Sequence, residues 1–232
     1  ALAIVCGLLC GGLSGAIIVR WSIPSFIVTL GMLEIARGGS YLVSGSQTKY
    51  LGDRVAALAA PIPGLGLSPS VLIAVAAVVA GQLLLRRTVL GRTMIAVGAN
   101  EEAVRIAGVN TRRVKLTVFL IAGGLSGLAG IMQVSYLQSA DPNAGFGLEL
   151  AAIAAVVIGG TSLMGGRGSV FSSFLGVLII AVLQTGLAQV GASEPTKRIV
   201  TGAVIVLAVV ADVHRRLLDG RQILRRLFSR AR

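Results

Sequence analysis

The chain has 232 residues; 55% are hydrophobic, 31 are glycine and only 13% carry a charge, against about a quarter in a soluble domain. With a mean hydropathy of +0.88, this composition excludes a water-soluble globule, and it excludes disorder, which needs low hydrophobicity and high charge. Yet 21 Lys and Arg against 9 Asp and Glu leave a net charge of +12, so the placement of the cations has to be explained.

A spanning helix needs about 20 mostly apolar residues. Residues 1–19 are uncharged and qualify as the first span. The sequence opens inside this run, with no initiator Met and no basic segment ahead of it, so it is expected to lack a signal peptide and one or more preceding spans. Cys6 and Cys10 sit one helical turn apart in this run and read as small packing residues. Residues 23–33 are apolar but short, begin with Pro24 and run into Glu34 and Arg37. The breakers between Pro61 and Pro69 make a loop, after which residues 70–85 form a span. Further spans are expected over 116–137, 169–189 and 197–213. Residues 150–160 are apolar, follow Glu149 and end in Gly-Gly. Segments 23–33 and 149–160 are each either a span or a broken, re-entrant helix, which survives at membrane depth only inside protein or beside water. The fold class is therefore all-α: a polytopic transmembrane bundle over residues 1–213, followed by a basic tail over 214–232.

Fourteen of the 21 cations fall in two places. Arg86, Arg87, Arg92, Arg105, Arg112, Arg113 and Lys115 lie in one loop; Arg215, Arg216, Arg221, Arg225, Arg226, Arg230 and Arg232 lie in the tail. If segment 149–163 crosses once, four crossings separate the clusters and put them on one side. The positive-inside rule makes that side cytoplasmic. The opposite turns, 138–147 and 190–196, hold Asp141 and Glu194 and no cation. Lys197 and Arg198, just beyond, are mild exceptions. The tail alternates Arg with Leu217, Leu218, Ile223, Leu224, Leu227 and Phe228, as an amphipathic helix on anionic lipid does, with contact to a partner as the other possibility. His214, at its start, has an interfacial rather than metal-binding setting. Cations so placed report orientation, not nucleic-acid binding.

Glycines separated by three intervening residues, at Gly7/Gly11, Gly11/Gly15 and Gly123/Gly127, predict close helix packing in lipid. Gly-Gly-Leu-Ser-Gly occurs at both 11–15 and 123–127, through chance or an internal repeat. In the basic loop, Asn100 is placed to cap a helix of about two turns, with Glu101 and Glu102 facing the positive end of its dipole and Gly108 stopping it. By itself this reads as a solvated connector.

The run Gly98-x-Asn100-Glu101-x-Ala103-x-x-x-x-Gly108, followed by Arg112-Arg113, resembles the coupling loop of permease subunits of sugar ABC importers of the ribose, xylose and galactoside type. Residues 23–31 (IPSFIVTLG) with Arg37-Gly38, and residues 149–166 (ELAAIAAVVIGGTSLMGG), resemble two further segments of that family, so the likeness covers nearly the whole chain. It implies a bacterial inner-membrane permease without enzymatic activity or cofactor, paired with a second permease copy. Its partners would be a cytoplasmic ATPase that grips residues 98–108, chiefly Gly98, Asn100, Glu101, Glu102, Ala103, Arg105 and Gly108, and an extracytoplasmic sugar-binding protein. The residues agree: there is no Gly-Lys dipeptide, hence no GxxxxGK[ST] phosphate loop, so ATP would be handled by another chain.

Pathway candidates each carry a rival reading. Glu149 is either an intramembrane acid with a role in transport or an interfacial helix cap. Gly159, Gly160, Thr161 and Ser162 offer bare backbone and hydroxyls to a polyol, or allow tight packing. Phe26, Thr29 and Gly31 share the motif at 23–31, where Phe26 is a gate or a packing residue. Glu34 and Arg37 are spaced to pair on one helical face. Asp141 and Asn143 would meet a periplasmic partner or simply form a polar turn. The sequence shows no catalytic triad, metal motif or paired carboxylates set for hydrolysis. A branched-chain amino-acid permease and an ion-coupled secondary transporter are the alternatives; the latter needs ionisable residues in several spans, and these helix interiors are nearly bare of them.

Overall fold

The computed structural model describes residues 2–52, 55, 58–62, 64, 66–193, 195–204 and 206–210. The tail cations, His214 and Glu194 lie outside the described residues. The elements, in order, are α1 (Leu2–Trp21), α2 (Ser25–Ser44), β1 (Lys49–Tyr50), α3 (Pro69–Arg87), α4 (Val89–Ala99), α5 (Glu101–Ile106), α6 (Thr111–Leu137), β2 (Ser139–Ala140), α7 (Leu148–Ile158) and α8 (Val170–Gln189). Residues 195–204 and 206–210 are also helical. Among the described residues five helices, α1, α2, α3, α6 and α8, are long and apolar enough to cross a membrane. The chain is all-α apart from one two-residue strand pair, and it divides into two compact units, Ala1–Ala144 and Gly145–Arg232.

In the first unit the dominant contact is α1 against α6. Glycine makes it possible. A Cβ on Gly7 would lie 2.2 Å from the Gly123 carbonyl oxygen, and one on Gly123 would lie 2.2 Å from that of Gly7. Gly11 meets the backbone of Phe119, and Gly127 that of Ala3 and Ile4. These pairings run in opposite directions along the two helices, so α1 and α6 are antiparallel. Both copies of Gly-Gly-Leu-Ser-Gly lie on this interface, staggered rather than face to face. The antiparallel register brings the end of α1 that carries Arg20 to the end of α6 that carries Arg112, Arg113 and Lys115.

At the other end of α6, Lys49 pairs with Ala140 and Tyr50 with Ser139 in an antiparallel bridge. Leu51 N–H continues it by donating to Gln138 O at 3.0 Å. Ser135 Oγ donates to Val55 O, and Ser70 Oγ to Leu58 O at 2.8 Å. Tyr41 Oη donates to Asn143 Oδ1 at 2.7 Å, tying the end of α2 to the turn after β2. The breaker-rich loop over 45–68 is thus pinned at several points.

Segment 23–33 proves longer than the sequence reading. α2 continues for 20 residues, to Ser44, and stops at Gly45 in the left-handed region. Glu34 and Arg37 do not end it, because they pair at 3.2 Å along one face. The basic loop 86–115 also holds a helix that the sequence reading left as connector, α4.

In the second unit α7 packs antiparallel on α8, again through glycine. A Cβ on Gly176 would lie 1.9 Å from Ala155 O, and one on Gly159 would lie 2.4 Å from Ser172 O. Ala154, Ala155 and Ile180 form the buried core here, with Ile158 against it. Eleven residues of α7 reach only about 16 Å at ~1.5 Å each, roughly half of a ~30 Å hydrocarbon layer.

Gly123→Ala forces its Cβ into backbone, not into a yielding side chain, and is expected to cost at least the ~1–3 kcal/mol typical of overpacking. Gly130→Ala, on the same helix with nothing within 4 Å, should be neutral or stabilising by up to ~1 kcal/mol. Thermal unfolding of the detergent-solubilised variants would compare them.

Candidate functional site

Three polar side chains shape the segment between α3 and α6. Thr88 closes α3 and opens α4: its hydroxyl donates to Leu84 O at 2.6 Å and accepts from Gly91 N at 3.0 Å. Asn100 closes α4 and opens α5, its Oδ1 accepting from Ala103 N at 3.0 Å. Asn110 caps α6, accepting from Arg113 N at 3.2 Å. Each meets backbone donors that a helix start leaves unpaired. The chain therefore changes direction at single residues, and α5 is a discrete one-and-a-half-turn helix of six residues.

The structure gathers Gly98, Asn100, Glu101, Glu102, Ala103, Arg105 and Gly108 into one knuckle, at the end of α4, along α5 and in the turn after it. Gly108 sits at φ +84°, where a side chain is strained. Its N–H donates to Arg105 O at 3.0 Å, and Val109 N–H donates to Val104 O at 3.2 Å. Glu102 and Arg105 pair side by side, with Arg105 Nε 2.9 Å from Glu102 Oε2. That hydrogen bond holds the Glu102 carboxyl below its ordinary value of 4.5 and raises the guanidinium. Glu101 reaches instead to Lys115 on α6, at 2.6 Å. Residues 101–103 and 105–110 are exposed.

The pathway candidates are not gathered. Phe26, Thr29 and Gly31 lie along α2, which buries no residue in this chain. Phe26 is exposed, nothing stands within 4 Å of a Cβ on Gly31, and Thr29 Oγ1 donates back to Ser25 O at 3.0 Å. In the second unit, Glu149 Oε2 accepts from Gly147 N at 3.1 Å, at the opposite end of α7 from Gly159. This contact favours the helix-capping reading of Glu149. Gly159 is taken up by packing on α8, and Gly160 turns the chain at φ +79°. Thr161 Oγ1 shares a hydrogen bond with Ser173 Oγ at 2.9 Å, and Ser162 Oγ accepts from Met164 N at 3.2 Å. These contacts favour the packing reading for Gly159 and Thr161. Asp141 and Asn143 form a turn among themselves, with Asn143 N donating to Asp141 Oδ1 at 2.8 Å.

One feature of the second unit escaped the sequence reading. A cavity of about 390 Å³ opens beside the start of α7 and the end of α8, lined by Gln184, Lys197, Arg198 and Thr201 among apolar groups. Thr201 Oγ1 is buried without a hydrogen-bond partner. The signal was present only as two cations beyond an otherwise cation-free turn. Among the described residues no group of three or more His, Cys, Asp and Glu is placed to hold a metal ion.

Long apolar helices joined through a small, polar, exposed knuckle define a polytopic membrane protein. The comparisons specify it further: residues 1–209 match the family model described as the permease component of the branched-chain amino acid transport system, and the chain belongs to this family of ABC permeases. It is 35% identical over 219 residues to the L-arabinose ABC transporter permease protein of Azospirillum brasilense, covering 93% of this chain and 65% of that one. It is 38% identical over 217 residues to the ribose import permease protein of Escherichia coli K12, covering 91% and 67%. Against the fructose import permease protein of Rhizobium meliloti the identity is 35%, over 91% and 62%. The chain thus spans about two thirds of the length of these relatives. No solved structure matches it. As a member of this family with five membrane-length helices, it is a multi-pass membrane protein of the bacterial inner membrane.

Because the folded value of Glu102 is depressed, its pairing contributes above the ordinary carboxylate range and is lost as pH falls through the folded value. Carbon-13 NMR of the Glu102 carboxyl should show its titration step displaced below 4.5. Glu102→Gln should remove that step. Asn100→Ala, which deletes the cap, should weaken α5 at every pH by ~1 kcal/mol.

Proposed function

We propose that this chain is the membrane-spanning part of an ATP-driven monosaccharide importer. The similarity to permeases named for arabinose, ribose and fructose, over more than nine tenths of this chain, carries the reading. A binding protein outside the membrane delivers the sugar, and two permease copies form the pathway. A separate cytoplasmic ATPase grips α5, where Gly98, Asn100, Glu101, Glu102, Ala103, Arg105 and Gly108 present an exposed, capped surface.

Drawing two α5 helices together on ATP binding changes which side of the membrane the pathway faces. The driving energy enters through α5, because that helix is too short and too charged to cross and its residues are almost all exposed. The 86–115 loop, and with it Arg20, faces the cytoplasm by the positive-inside rule; the tail faces the same side. Phe26, Thr29, Gly31, Glu149, Gly159, Gly160, Thr161 and Ser162 are the candidates for contact with moving sugar. Among them Ser162 and the open face of α2 are the least committed to packing. Weak, replaceable contacts suit a pathway, since tight binding there would slow release.

A branched-chain amino-acid permease is the second reading, favoured by the description of the family model. Uptake by vesicles carrying the full-length permease and its cognate ATPase and binding protein separates the two. Labelled D-ribose, L-arabinose or D-fructose should enter and L-leucine should not; leucine uptake without sugar uptake would overturn the sugar reading. Uptake that persists without the ATPase would point to an ion-coupled transporter. Reversing the charges of Glu101 and Glu102 should leave the protein in the membrane while stopping uptake, and unchanged uptake in that variant would remove α5 from the coupling role.

A further inference from the structure

The ion pairs of the first unit differ in what they connect. Glu34–Arg37 and Glu102–Arg105 each close within one helix, three residues apart. Glu101–Lys115 joins two helices, α5 and α6, across 14 positions of sequence at 2.6 Å. We propose that this pair is a strut that makes α5 and α6 a single lever, with Lys115 a positioning residue for coupling. The inference rests on the reading of α5 as the helix that the ATPase grips.

The geometry gives α5 two attachments to α6, and α4, joined to α5 at Asn100, packs on α6 as well. At its far end, the Gly108 turn leads within two residues to Asn110, the cap of α6. At its near end, Glu101 is held by Lys115, one turn into α6. A short helix fixed at one end pivots; fixed at both ends it transmits rotation. On the α4 side the covalent link is Asn100, extended at φ −158°, ψ 98° and hydrogen-bonded to both helices, its N–H to Ala96 O and its Oδ1 to Ala103 N–H. The strut decides that a push on α5 goes into α6 rather than bending the 107–110 turn. From α6 it passes at once to α1, because Gly7, Gly11, Gly123 and Gly127 bring the two backbones into contact with no side chain between them to yield. The side chains of Lys115 and Glu101 are 36% and 45% exposed, and ion pairs this open add little to stability. What the pair supplies is position, so its loss shows in coupling rather than in the amount of folded protein.

The test uses the full-length permease reconstituted in proteoliposomes with its ATPase and binding protein. Labelled D-ribose, L-arabinose and D-fructose are the probes, and sugar moved per ATP hydrolysed is the readout. Glu101→Gln and Lys115→Met should each lower that ratio by about 2-fold to 30-fold, the span of coupling changes seen along packed networks, with parental membrane abundance. Lys115→Arg should retain the ratio. A normal ratio in Lys115→Met overturns the strut, and so does a Lys115→Arg variant that folds but is as defective as Lys115→Met. Ala103→Asp, which places a charge in the middle of α5, separates the two levels of the argument. If it stops transport while Lys115→Met transports normally, the strut is wrong and the coupling reading of α5 stands. If it too transports normally, both are wrong.

Discussion

The contact on which the first unit depends is backbone against backbone, between α1 and α6. In hydrocarbon the lipid tails are as apolar as leucine, so burying leucine against leucine gives helices little reason to associate. Close van der Waals approach gives one, and it is greatest where no side chain intervenes. Gly7 and Gly123 meet so closely that a methyl group on either would lie 2.2 Å from the other's carbonyl oxygen. The same device joins α7 to α8 at Gly159 and Gly176. Most of the surface of this chain is greasy and open, while the few places of intimate contact are glycine.

That constraint shapes the proposed mechanism. A helix pair in backbone contact moves as one body, which suits an element meant to carry displacement across a membrane. Around it the protein places pivots rather than packing. Thr88, Asn100 and Asn110 each end one element or begin the next with a single side chain, so the segment between α3 and α6 is a chain of short rods with defined joints. α2 is the opposite case. It buries nothing in this chain, and its free faces are where a second permease copy or the pathway finds room under the reading proposed above.

Much of this was legible from residue patterns. The uncharged runs located α1, α3, α6 and α8 to within a few residues, because a ~30 Å apolar layer permits few alternatives. Asn100, Glu101, Glu102 and Gly108 announced α5 through cap, dipole and stop. Two readings fell short. Segment 23–33 reads as a short span or a re-entrant helix beside a Glu34–Arg37 pair; the two do pair along one face, and the helix runs on past them to Ser44. α4 was hidden by the cations that flank it, although Thr88 is placed to cap it. The short bridge between β1 and β2 left no signal at all, since two residues carry no period.

The sequence by itself determined the class of the protein: composition requires a bilayer, and the 98–108 and 149–166 runs carry the family likeness. It also flagged the glycines as contact points. Only the tertiary structure decided what they contact. Small residues at a three-residue gap say that some backbone comes close, but not whose, because the partner's register is a long-range property absent from local spacing. The same holds for Glu101 and Lys115. Both were visible as charges in one loop, yet their pairing depends on the turns at Gly108 and Asn110 folding α5 back toward α6, and that path exists only in three dimensions.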